Sequence, residues 1–305
     1  MRLNKTLRIN LVLPVKILAV LMTIVFFPPW CQAQNSDSIS HINSSRLKTV
    51  IITSGVAYTG SMIALSSIWY SQYDQEHFHF FNDAHEWKQM DKMGHFYSAF
   101  QLSSNSSRTL QWSGVTKKKS DFAGTITSFA IMSSIEVLDG FSSGYGASAS
   151  DLVANAMGAG FYLGQQALWH ETRIYPKFSF RRTSFAPQRP EALGSNLLEE
   201  MIKDYNGQTY WLSIDVDKFL HFPKWINLAA GYGAERMLYA NDANNINQNL
   251  YPYRQYFIGI DFDLTGIKSR SKLVNTLIYI ANMVKLPAPA LEFSNGKVKG
   301  HFFYF

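Results

Sequence analysis

The chain has 305 residues, 47% of them hydrophobic, 15% aromatic and only 16% charged. Charge that sparse, against about 25% in ordinary soluble proteins, favours a very buried or membrane-associated fold. The net charge is +6, but Arg2, Lys5, Arg8 and Lys16 precede residue 33 in a stretch without acids, so the rest is near balance and a nucleic-acid partner is excluded.

Residues 1–33 read as an export signal, with a basic start ending at Lys16, an apolar run over 17–27 and small Ala33 at a cleavage position. An uncleaved membrane anchor is the rival reading. Cys31 is the only cysteine, which leaves no disulfide and no Cys-based metal or redox chemistry in a chain cut after Ala33. Trp30 stands where a lipid-attachment site needs a small residue, which argues against lipidation at Cys31. Residues 34–46 are a polar leader.

Residues 47–70 carry no charge after Lys48. They are long enough to cross a bilayer, yet they hold enough Ser, Thr and Gly to pack as a buried helix, and both readings stand. Residues 71–86 form a polar aromatic connector containing His77, His79 and His85. The H-x-H pair lacks further ligands at fixed spacing and reads as a surface loop rather than a metal site.

Three helices follow. The first runs from Asp91 to about Trp112 and ends at Gly114 and a solvated Lys117-Lys118-Lys119. Asp121 is expected to cap the second, over 122–139. Ser148-Ala149-Ser150-Asp151 has the form of a capping box opening the third, which continues to about Trp169. Within it, the spacing of Gly160 and Gly164 suits close approach of another helix. Short connections make consecutive helices antiparallel neighbours. Asp91, Lys92 and His95 at the start of the first helix should then meet Glu136 and Asp139 at the end of the second. Asp151 and Asn155 at the start of the third belong to the same end.

Residues 171–207 read as a polar linker with a short amphipathic piece over 191–205. Strand patterns appear over 211–216, 226–233, 253–264 and 298–305, with a helix over 271–284 closed by Pro287 and Pro289. The last strand ends on an aromatic, as outer-membrane barrel strands often do, but four strands cannot close a barrel of eight. The expected fold is α+β: a membrane-associated antiparallel helical bundle over 47–170, followed by a strand-rich region over 208–305.

The run Asp91-Lys92-x-x-His95-Phe96, then Glu136-x-x-Asp139, then Ser148-x-x-Asp151-Leu152-x-x-Asn155-x-x-Gly158-Ala159 resembles an uncharacterised bacterial family of predicted periplasmic lipoproteins. Its YfiM-like, longer Bacteroidetes-type members are the nearer likeness, and VanZ-like membrane proteins a distant one. The resemblance implies an exported protein on the periplasmic side of the cell envelope, associated with a membrane, and supplies no activity, cofactor, metal or protein partner.

Three readings of the polar group stay open. Asp91, Lys92, His95, Glu136, Asp139, Asp151 and Asn155 form a structural lock or ligand-binding module, a divalent-metal site, or the centre of a hydrolase or lipid-modifying enzyme. In the last, His95 would act with Asp91, Glu136 and Asp151. No phosphate loop, H-E-x-x-H or nucleophile elbow competes with them.

Overall fold

The computed structural model describes residues 42–70 and 73–305; the export segment, Cys31 and residues 34–41 of the leader lie outside them. The Asn43 side chain accepts from the Arg46 amide and caps α1, Ser44–Leu65, which continues as a π-helical turn, Ser66–Tyr70. Val50, Ala57, Ser61 and Ala64 are buried at spacings of seven, four and three, a single helical stripe. Tyr58 Oη donates to Ser134 Oγ at 2.9 Å, while Ile51, Ile52, Val56 and Ile63 stay exposed. Neither expectation for 47–70 survives whole: one face packs, the other is open. No helix among the described residues is long and apolar enough to cross a membrane.

The next three helices are α2, Met90–Trp112, α3, Lys117–Asp139, and α4, Ala149–Trp169. They pack on one another in alternating directions. At one end Ser107 of α2 and Tyr162 of α4 both donate to Asp121 Oδ1 of α3, at 2.6 and 2.8 Å. At the other, Glu136 of α3 lies beside His95 of α2. Two expectations are corrected. Asp121 is not a cap: α3 begins a turn earlier, after Thr116, so the three lysines form its first turn and Asp121 is a buried acceptor. Nor do Gly160 and Gly164 meet a helix, since a Cβ on either would find open space. The close approaches are at Gly124, against the backbone of Ser103 and Ser107, and at Gly158, against the Phe96 carbonyl.

The remainder is a six-stranded antiparallel sheet in sequence order: β1, Ile174–Phe180; β2, Gln208–Ile214; β3, Ile226–Glu235; β4, Tyr253–Phe262; β5, Ala288–Ser294; β6, Lys297–Tyr304. Helices first and strands after make the chain α+β. The segment expected as a linker contains β1. The amphipathic piece over 191–205 is two short helices, α5, Pro190–Leu193, and α6, Leu197–Lys203, parted at Gly194, whose φ of +99° favours glycine. Two more helices sit between strands: α7, Asp242–Ile246, and α8, Lys272–Ala281, which Ser271 caps. Pro287 and Pro289 do end the helical stretch, but Pro289 belongs to β5.

The sheet joins the helices through Met90, Tyr210, Ala234 and Met237, with Tyr97 and Phe178 packed around them. Its polarity is reversed. The alternate positions that include Lys177, Ser213, Asn227, Gln255, Asp261 and Glu292 are buried around Trp211, Phe257 and Tyr304. Their neighbours Leu228, Tyr256, Ile258, Ile260, Leu291 and Phe293 are exposed. Lys177 supplies the charge partner on the concealed side: its Nζ lies 2.6 Å from Asp261 Oδ2 and donates to Asn282 Oδ1 at 3.1 Å.

Candidate functional site

The entry to α2 is held in a backbone conformation that side chains resist. Trp87, Lys88 and Gln89 have φ of +45°, +53° and +63°, a left-handed run that costs free energy at each residue and persists only under external support. The sheet side gives that support. Tyr232 Oη donates to the Lys88 carbonyl at 2.5 Å, Arg254 donates to Gln89 Oε1 at 2.5 Å, and the Trp87 amide donates to the Ala240 carbonyl at 2.8 Å. Lys88 also pairs with Asp242. The turn aims the first residues of α2 at the ends of α3 and α4.

Lys92 is enclosed by three carboxylates: Asp83 Oδ2 at 2.6 Å, Asp91 Oδ2 at 2.8 Å and Asp151 Oδ1 at 3.0 Å. Asp83 also accepts from Ser148 Oγ at 2.6 Å and Ser150 Oγ at 2.9 Å. Ser148 caps α4 by accepting from the Asp151 amide at 3.1 Å. The reciprocal half of the expected box is rewired, because the Ser148 amide donates to Glu136 Oε2 at 3.1 Å and Asp151 turns to Lys92 and His95.

His95 lies on the other side of Asp151. Its Nδ1 is 3.0 Å from Asn155 Oδ1. A carbonyl oxygen only accepts, so Nδ1 carries a hydrogen in this contact. The His95 Nε2 is 3.9 Å from Asp151 Oδ2, and Glu136 Oε1 is 3.6 Å from Nδ1. Glu136 is only 2% exposed, and its Oε1 has no hydrogen-bond partner. Asn155 Nδ2 is likewise buried and unpartnered. Asp139 stands at the margin, accepting from Tyr70 Oη at 2.5 Å.

The electrostatics follow from five carboxylates packed around one lysine and one imidazole. Burial, reinforced by the charge of Asp151, pushes Glu136 up to about 8. Burial pushes Asp91 up to about 6 against the pull of Lys92, and Asp139 up to about 6 against its bond from Tyr70. Asp151 is raised by burial, with His95 and Lys92 opposing. For Asp83 burial works upward, but the bonds from Lys92, Ser148 and Ser150 outweigh it and hold the carboxyl below its ordinary value. Lys92 is raised despite burial, because Asp91 and Asp151 favour its charged form.

Of the residues singled out in the sequence, Asp91, Lys92, His95, Glu136, Asp151 and Asn155 touch in one group, with Asp139 beside it. Sequence reasoning missed Asp83, Ser150 and Tyr70. Asp83 sits in the aperiodic connector, which pins itself to the turn after α3: the Phe81 amide donates to the Ala147 carbonyl at 3.0 Å and the Ala147 amide to the His79 carbonyl at 3.0 Å. His79 Nε2 is spent on the Tyr145 carbonyl at 2.9 Å. Among the described residues, two groups of donors lie close enough to share a cation: His95 with Glu136 and Asp151, and Asp83 with Asp91 and Asp151. Lys92 occupies the second.

Residues 79–165 match the model of a family described as predicted periplasmic lipoprotein (DUF2279). The matched span contains Asp83, Asp91, Lys92, His95, Glu136, Asp139, Ser148, Asp151 and Asn155, and it stops before the sheet. The description agrees with the exported, periplasmic location that the signal segment implies. It carries neither the YfiM label nor the VanZ-like similarity. Neither the curated proteins nor the solved structures contain a match.

Proposed function

Taking a periplasmic envelope protein as the premise, we propose that the open half of the cluster is a divalent-cation centre formed by His95, Glu136 and Asp151. The observation that carries this reading is Glu136 Oε1, a buried carboxylate oxygen with no hydrogen-bond partner beside an imidazole and a second carboxylate. A buried acceptor left empty costs on the order of 1–3 kcal/mol, and a cation satisfies it. One imidazole with two carboxylates suits manganese, iron or zinc in the divalent state. Asn155 acts as the outer-shell partner: by accepting from Nδ1 it fixes the tautomer that frees Nε2. Lys92 with Asp83 and Asp91 is the lock that fixes the ends of α2 and α4 around the centre.

The test is equilibrium dialysis of the purified protein against Mn²⁺ and Zn²⁺, with elemental analysis and thermal melts. One ion per chain and a higher melting temperature are expected, both lost in His95→Ala and Glu136→Gln. Absence of bound metal, or binding untouched by those substitutions, overturns the reading. A second reading, acid–base hydrolysis without metal, has one observation in its favour: Glu136, at about 8, holds a proton at neutral pH next to His95. It would be recognised by an envelope phenotype lost in Glu136→Gln in a protein that melts normally and binds no ion.

A further inference from the structure

A sheet in water buries its apolar face and wets its polar one. Here β3 to β6 do the reverse. Asn227, Gln255, Asp261 and Glu292 are each no more than 3% exposed, whereas Ile258 is 59%, Tyr256 53% and Leu291 48% exposed. The cross-strand register places this apolar set on one surface, with Ala230 opposite Ile258, Ile258 opposite Leu291 and Tyr256 opposite Phe293. Apolar outside and polar inside is the alternation of a sheet whose surroundings are hydrocarbon.

The edge of this surface names the surroundings further. Trp225 stacks on Phe262 at the end of β4, after a loop that exposes Phe219, Leu220 and Phe222 among Lys218, His221 and Lys224. Beyond the same strand end in sequence, Lys268, Arg270 and Lys272 lead into α8, which exposes Leu273, Val274 and Leu277. No acid occurs between Asp263 and Glu292. Aromatic rings and cations around an apolar field complement the headgroup layer of an anionic membrane. From Tyr256 to Phe262 the strand covers roughly 20 Å at about 3.3 Å per residue, more than one leaflet of a hydrocarbon core about 30 Å thick.

We propose that the outward face of β3 to β6 is seated in the acyl layer of a phospholipid bilayer, with the Trp225 loop and the cationic approach to α8 at the level of anionic headgroups. The proposal does not rest on the cation centre, although Tyr232 and Arg254, at one end of the same face, bond the turn that opens α2.

The test uses the full chain carrying Cys31→Ser, reconstituted in phosphatidylethanolamine–phosphatidylglycerol vesicles. Spin labels are placed at Ile258→Cys and Leu291→Cys, with exposed Gln188→Cys as the reference. Melting curves matching the parent establish that the labelled chains are folded. At 258 and 291, relaxation by oxygen should exceed relaxation by a water-soluble nickel chelate, and the order should invert at 188. Nickel access at 258 and 291 equal to that at 188 overturns the proposal. So does protection from both reagents with spin–spin broadening, which would identify a second copy of the chain as the cover.

Discussion

Substituting Gly158 by alanine tests how the site is held. A Cβ at this position would lie 2.1 Å from the Phe96 carbonyl oxygen, 2.8 Å from its carbon and 2.9 Å from its Cα. All three are backbone atoms, so no rotamer change relieves the clash. Real Cβ contacts essentially never fall under 3.0 Å, so α4 must retreat from α2 by roughly 1 Å, an overpacking that costs on the order of 3 kcal/mol. At about 2–4 °C per kcal/mol for a chain of this size, the melting temperature should fall by roughly 6–12 °C. Phe96 follows His95, and Gly158 is three residues past Asn155. The same retreat stretches the 3.0 Å His95–Asn155 contact beyond hydrogen-bonding reach, and Mn²⁺ or Zn²⁺ affinity should drop with it. Gly160→Ala is the internal control: its Cβ meets nothing, and replacing a mid-helix glycine should stabilise by about 0.5–1 kcal/mol. Calorimetry of the two variants decides. Equal melting temperatures for Gly158→Ala and the parent, or equal losses in both variants, refute the packing argument.

Lys92→Met leaves Asp83, Asp91 and Asp151 without their shared cation and should cost about 3–5 kcal/mol in a denaturant titration at pH 7.5; the deficit should narrow at pH 5, where the carboxyls take up protons. The pH dependence of the metal-free parent has a definite sign. Glu136 at about 8 and Asp91 and Asp139 at about 6 are raised in the folded state, so the native chain binds more protons there than the unfolded one. Stability should therefore fall as pH rises from the ordinary carboxylate range to about 8, and a melting temperature that climbs across this window contradicts the assignment. Cation binding runs the other way: it must displace the Glu136 proton, so affinity should rise through about pH 8, with proton release seen by calorimetry in buffers of different ionisation enthalpy. In the sheet, Lys177→Met strands buried Asp261 and should cost about 3–5 kcal/mol, whereas Lys177→Met with Asp261→Leu should recover most of the loss.

The proximity of Asp91, His95, Glu136 and Asp151 was legible because helix period and short turns leave little freedom in where helix ends lie. Asp83 was not, because a connector without periodicity carries no record of what it folds against. The start of α3 was misplaced by treating Asp121 as a cap; the sequence cannot distinguish an acid that opens a helix from one that accepts two hydroxyls inside a core. β1 was hidden by its composition: Pro176, Lys177 and Ser179 look like a linker when polar residues are assumed to face water. β5 was hidden by Pro287 and Pro289, which signal the end of a helix as readily as the start of a strand. The inverted polarity that concealed β1 is the same that, in β3 to β6, marks the proposed membrane seat.

Every strand pairs with its neighbour in sequence, so each can add to the sheet as soon as the next has been made. The outer edge of β1 is the exception. Phe178 receives its second set of bonds from residues 283 to 285, its amide donating to the Met283 carbonyl at 3.0 Å and its carbonyl accepting from the Lys285 amide at 2.9 Å. A chain emerging from a translocation pore therefore carries a half-paired strand for about a hundred residues before its seal arrives. During that interval the edge is a template for any passing strand, and the vulnerable species in assembly is the chain threaded short of Met283.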